Sequence, residues 1–157
     1  MFPKNHALPE DPQARVIEIL NRRLADAIDL QLQSRQAYWN VKGSTFLSLR
    51  ELFDKVAEAV EADANLIAER IVQLDGKAEG TAHAIAARSA LDGYGRARAG
   101  DSEALASTLA DFARHTRYAS TQAIELRDAD TAALFTEIAR GIDKWLWFVK
   151  TSQPASN

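Results

Sequence analysis

Six polar residues near the middle of the chain could act together. Arg50, Asp54, Glu58, Glu61, Asn65 and Glu69 follow one another at intervals of four, four, three, four and four. On a helix that spacing puts all six on one stripe. Such a stripe can face water, lie against a partner, or present carboxylates to a cation. Di-iron sites in helical bundles need more, a Glu-x-x-His pair on neighbouring helices. No such pair occurs here. His6, His83 and His115 fall in a tail, a linking segment and a later helix, and share no ligand spacing. They read as surface or structural histidines.

The elements that carry these residues are legible from capping signals and periodicity. Asp11-Pro12 starts a helix, an N-cap oxygen followed by a residue that needs no amide partner. Ile17, Leu20, Leu24 and Ile28 then recur at helical spacing as far as Tyr38-Trp39-Asn40-Val41, and Gly43 ends the run. A second helix begins between Ser44 and Ser48 and ends at Asp75-Gly76. It carries Leu49, Leu52, Phe53, Val56, Val60, Leu66, Ile67, Ile71 and Leu74. Residues 77–100 are broken by glycines, with one short helix expected over Ala82 to Ala87. A third long helix runs from Asp101 or Ser102 to Arg127, and Asp128 or Asp130 caps a fourth, which Pro154 closes. Two helical hairpins joined by a long crossover predict an all-α, ferritin-like four-helix bundle with a short helix in the crossover. The expected divisions are a tail at 1–12, the bundle at 13–152 and a second tail at 153–157.

Composition sets the outer bounds. The chain has 157 residues, no cysteine and a formal charge of -3, which excludes disulfides and thiolate metal sites. No apolar stretch approaches the ~20 residues of a membrane helix. The first twelve residues are polar and lack the apolar core of a signal peptide, so a cytoplasmic protein with no membrane partner is expected.

The run Tyr38-Trp39-Asn40-Val41-Lys42-Gly43, then Phe46-x-x-Leu49-Arg50-x-Leu52-Phe53-Asp54, then Ala68-Glu69-Arg70, resembles the signature of the Dps family. The late Asp143-Lys144-Trp145-Leu146-Trp147-Phe148 is similar to that family's last helix. The resemblance spans roughly residues 13–150. It implies a dodecameric shell, iron storage, and an intersubunit ferroxidase site that oxidises ferrous iron, usually with hydrogen peroxide. It also implies, for some members, protection of DNA.

Three of five implied ligand positions depart from the family. Tyr38 and Arg50 stand where histidines are implied, and Asn65 where an aspartate is. Asp54 and Glu69 match. Two neutral histidines and three carboxylates carry about -3, whereas the set present here sums to -1 with the tyrosine neutral. Iron favours imidazole and carboxylate, and a fixed guanidinium repels it. Iron is therefore expected weakly or not at all at the standard site. In the family the histidine half-site faces the Asp and Glu of a two-fold mate. Carried over, Arg50 would face Glu69 of the mate and Asp54 would face Asn65, both pairs centred between Ala59 and Val60. The same register sets Glu58 against Glu61, where like charges repel unless protonated, watered or bridged by a cation. Exposed, unpaired glutamates are the plainer expectation there.

The implied pore positions are Glu125, Ala129 and Ala133, so one acid remains, with Asp128 and Asp130 beside it as pore acids or helix caps. The N-terminal tail offers only Lys4, and twelve chains of this charge make a shell of about -36, so direct DNA binding is not expected. Three functions follow. One is a Dps-like cage for iron sequestration and stress protection without the standard centre. Another is a non-catalytic cage repurposed for another cation or a small molecule. The third is a carboxylate metal site relocated to Glu58 and Glu61, against which the absence of a histidine cluster argues.

Overall fold

The computed structural model describes residues 9–93 and 100–152. Lys4, His6, Arg96, Arg98 and Pro154 lie outside the described residues. Five helices follow in order: α1 (Pro12–Asn40), α2 (Phe46–Gln73), α3 (Ala82–Arg88), α4 (Asp101–Glu125) and α5 (Ala129–Thr151).

Local chemistry places the boundaries. The Asp11 carboxylate accepts from the Ala14 amide at 2.9 Å, and Pro12 takes the first helical position. Gly43, at φ 110°, turns the chain from α1 into α2. The C-terminal ends of α2 and α4 share one device. Asp75 and Arg127 both adopt φ 62°, and the next amide returns to a carbonyl in the last turn, Gly76 to Ile71 and Asp128 to Ala123, each at 2.9 Å. This closure ends α4 at Glu125, two residues before the periodicity predicts. Gly76 has a separate reason to lack a side chain: a Cβ there would stand 2.8 Å from Ile17 Cγ2.

Side-chain contacts give the topology. Near the start of α1, the Gln13 amide donates to the Leu74 carbonyl at 2.7 Å, so α1 and α2 run antiparallel. Arg117 pairs with Asp143, and Ser120 with Thr136, so α4 and α5 do the same. Across the two hairpins, α1 packs on α4 and α2 on α5. Thr108 donates to Gln33 at 2.9 Å, and His115 meets Asp26 at 3.2 Å, which makes α1 antiparallel to α4. This arrangement requires the long crossover that the glycine-broken segment predicts, and α3 within it packs on α1. Phe53, Phe112 and Phe135 are fully buried at the centre with Leu20, Leu30 and Ile142. Burying each such side chain contributes about 1.5–3 kcal/mol.

Charged and polar residues of α1 fasten the crossover. Asp26 is fully buried. One of its oxygens accepts from the Ala90 amide at 2.8 Å, and the other lies 2.9 Å from Arg23 Nε and 3.2 Å from His115 Nδ1. Asn21 donates to the Lys77 carbonyl and accepts from the Glu79 amide, both at 3.0 Å. His115 is thus a structural histidine, held on Asp26.

Candidate functional site

The α1–α2 turn brings the end of one helix beside the start of the next. Tyr38 comes from the last turns of α1, with Arg35 one turn earlier. Arg50 and Asp54 come from the second and third turns of α2. All four are half-buried. The Arg50 guanidinium lies 4.3 Å from the centre of the Tyr38 ring and 5.8 Å from that of Phe46. The Arg35 guanidinium lies 5.7 Å from the same Tyr38 ring and donates to the Asp54 carboxylate. Two cations therefore lie against one phenol ring, and one of them neutralises Asp54. Ring quadrupoles attract guanidinium groups at this range. The cluster of Arg35, Tyr38, Arg50 and Asp54 carries a formal charge of +1.

Asn65 and Glu69 do not join this cluster. They lie about 16 Å and 22 Å beyond Asp54 along α2, at 1.5 Å per residue, and both are exposed. Glu58 and Glu61 are exposed between them. Among the described residues no three His, Asp or Glu side chains of one chain gather as a metal site.

At the other end of the bundle, Glu125 is the exposed last residue of α4 and Asp130 is exposed in the first turn of α5. Asp128 is the N-cap of α5. It accepts from the Thr131 amide at 2.9 Å and its hydroxyl at 2.7 Å, and Arg70 of α2 reaches it at 3.1 Å. Partial burial pushes the Asp128 carboxyl up, but the Thr131 bonds and Arg70 outweigh it and hold it below the usual carboxylate range.

Two participants were missed by the sequence reading. Arg35 carries a signal in hindsight, because it sits three residues before Tyr38 on the same helix. Asp63 lies between core Val60 and Ile67 at helical spacing, which puts a carboxylate on the inward side of α2. Burial pushes the Asp63 carboxyl up to about 7, and Glu137 on α5 adds to the shift.

Two antiparallel hairpins joined by a long crossover define a ferritin-like protein, and the family model described as a ferritin-like domain matches residues 17–152. The DNA protection during starvation protein of Agrobacterium fabrum (strain C58) is 37% identical over 146 residues, covering 91% of this chain and 90% of that protein. Among solved structures, DpsA14 from Streptomyces coelicolor superposes with a TM-score of 0.85 at 29% identity, covering 98% of this chain and 94% of that one. Mycobacterium smegmatis Dps in its tetragonal form gives a TM-score of 0.85 at 26% identity, covering 99% and 96%. The chain belongs to the Dps family of ferritin-like proteins. Among the described residues no helix is long and apolar enough to cross a membrane.

Proposed function

We propose that this chain is the subunit of an iron-binding, stress-protection cage, a dodecamer, in which the standard intersubunit ferroxidase centre has been dismantled. Membership of the Dps family supports the iron-binding cage role. The observation that carries the rest is the Arg50 guanidinium stacked 4.3 Å from the Tyr38 ring. Those two residues occupy the positions of the implied histidines, and the guanidinium among them repels a metal cation. Asp54, the ligand position retained on the same half-site, is already paired with Arg35. These residues do not fit a centre for two cations. Iron in this reading is cargo, and the two-fold contact does not oxidise it rapidly. The exposed stripe of α2 is the surface through which two subunits meet.

Ferrous iron mixed with the protein and hydrogen peroxide, followed by absorbance, tests the reading. The expected rate is little above that of buffer. Rapid, saturable, peroxide-dependent oxidation abolished by Glu58→Ala or Glu61→Ala would overturn it in favour of a relocated carboxylate site. Light scattering should give a mass near twelve chains, and a stable monomer at micromolar concentration would remove the cage from the account.

A further inference from the structure

Helix α2 exposes more than a polar stripe. Leu47 and Val72, 76% and 61% exposed, extend it at either end. With the six polar positions between them, the intervals run three, four, four, three, four, four, three, the same in both directions. A repeat of eleven residues in three turns keeps such a stripe in line along a helix, so two helices can pack along it. A palindromic one is complementary to itself when a second copy runs antiparallel about a dyad between Ala59 and Val60. Leu47 then meets Val72 of the second copy, which covers two apolar side chains left largely exposed among the described residues.

Charge selects the same register. Arg50 has two aromatic neighbours and no carboxylate partner among the described residues. Glu69, exposed on the same stripe, likewise has no cation partner among them. The two lie nineteen residues apart on one helix, about 28 Å, and cannot meet within a chain. Asp54 is not the missing partner, because Arg35 already holds it.

We propose that Arg50, stacked on Tyr38, is the receptor for the Glu69 carboxylate of a second copy, forming two symmetry-related pairs at each α2–α2 contact. This rests on the stripe being a subunit contact and adds which groups hold it. The phenol ring fixes the guanidinium plane before the carboxylate arrives, so little side-chain freedom is lost on pairing. An anion receptor thus stands where the family resemblance implies a cation site. Glu58 and Glu61 fall beside the dyad and oppose the contact, which the outer pairs and the apolar ends must outweigh.

Charge exchange tests the pairing in the full chain. Native mass spectrometry and sedimentation should show that Arg50→Glu and Glu69→Arg each weaken the two-fold contact by at least about a hundredfold. The combined Arg50→Glu/Glu69→Arg variant should restore it. Tyr38→Phe should assemble as wild type, and Tyr38→Ala should weaken the contact. Helicity measured on each variant separates lost assembly from lost folding, and a variant that does not fold is replaced by Arg50→Lys, expected to weaken the contact in part. The chain has no cysteine, so Leu47→Cys/Val72→Cys reports register directly. It should oxidise to a covalent dimer, and Leu47→Cys alone should not. Assembly indifferent to Arg50→Glu, or a double exchange no better than the single changes, would overturn the pairing while leaving the cage standing. Added inorganic phosphate that raises the wild-type melting temperature, with no rescue by the exchange, would assign Arg50 to a free anion and overturn it as well. A wild type that stays monomeric would overturn both the pairing and the cage.

Discussion

Arg35 of α1 holds Asp54 of α2 within a single subunit, beside the Tyr38 ring. The register implied by the family resemblance leaves Asp54 to Asn65 of a mate. Within the chain, Arg35 gives Asp54 an oppositely charged partner. This relationship determines what it would take to rebuild a metal centre here, because a ligand restored beside Asp54 must compete with a guanidinium already in place.

Restoring the implied ligand set as Tyr38→His, Arg50→His and Asn65→Asp is expected to give ferrous binding and peroxide-dependent oxidation above wild type. Single reversions should do little, since each leaves Arg50 or a missing ligand behind. Adding Arg35→Gln to the triple variant should strengthen iron binding further by freeing Asp54. Titration with ferrous iron under anaerobic conditions measures this. A triple variant indistinguishable from wild type, with or without Arg35→Gln, would place the barrier outside these four residues.

Asp63 predicts an unusual pH profile. Its carboxyl is raised to about 7 in the folded protein against 3.8 as the ordinary value, by burial first and Glu137 second. Between those values the folded state holds a proton that the unfolded state has released. Stability therefore falls as pH rises from about 4 to about 7, then levels off. Asp63→Asn should raise the melting temperature at pH 8 by several degrees and leave it nearly unchanged at pH 4. Equal shifts at both pH values would mean that the substitution acts through packing and not through the proton.

Asp128 works in the opposite sense. Its lowered carboxyl contributes stability above the ordinary carboxylate range, lost as pH falls through the folded value. Asp128→Ala removes the α5 cap and strands Arg70, and should cost about 1–2 kcal/mol. Asp130→Ala, exposed and one position into α5, should cost about 0.5 kcal/mol or less. Denaturant melts of the two variants decide between them, and equal losses would remove the cap as the explanation.

Duplex DNA should show no mobility shift at about 0.15 M salt, where the Debye length is ~8 Å. The basis is the net charge of -3 per chain. A complex that survives at that salt would show that local basic groups dominate over the net field. Substituting Arg96 and Arg98 would then be the next measurement.

The bundle was legible in the sequence because its signals are local and periodic. Asp11-Pro12, Gly43 and the apolar spacing of α2 each place a boundary without help from the rest of the fold. Pairing across helices was not legible. Nothing in the spacing of Asp26 announces that it lies fully buried with Arg23, His115 and the Ala90 amide around it. The site was read in part for the same reason. Tyr38, Arg50 and Asp54 fall together because a short turn joins their helices. Arg35 enters through a contact between α1 and α2, which periodicity does not encode.

The crossover described above has a kinetic meaning. Each hairpin is made of contacts close in sequence and can form early, whereas joining them demands that a long, glycine-broken segment find its place on α1. The groups that fix that place, Asn21 and Asp26, belong to the first hairpin and receive the Glu79 and Ala90 amides only when the crossover docks, Asp26 having Arg23 of its own helix as a partner from the start. Docking of the second hairpin, not helix formation, is then the expected slow event, to be measured by stopped-flow refolding. Asp26→Asn should slow that step while leaving the hairpins free to form.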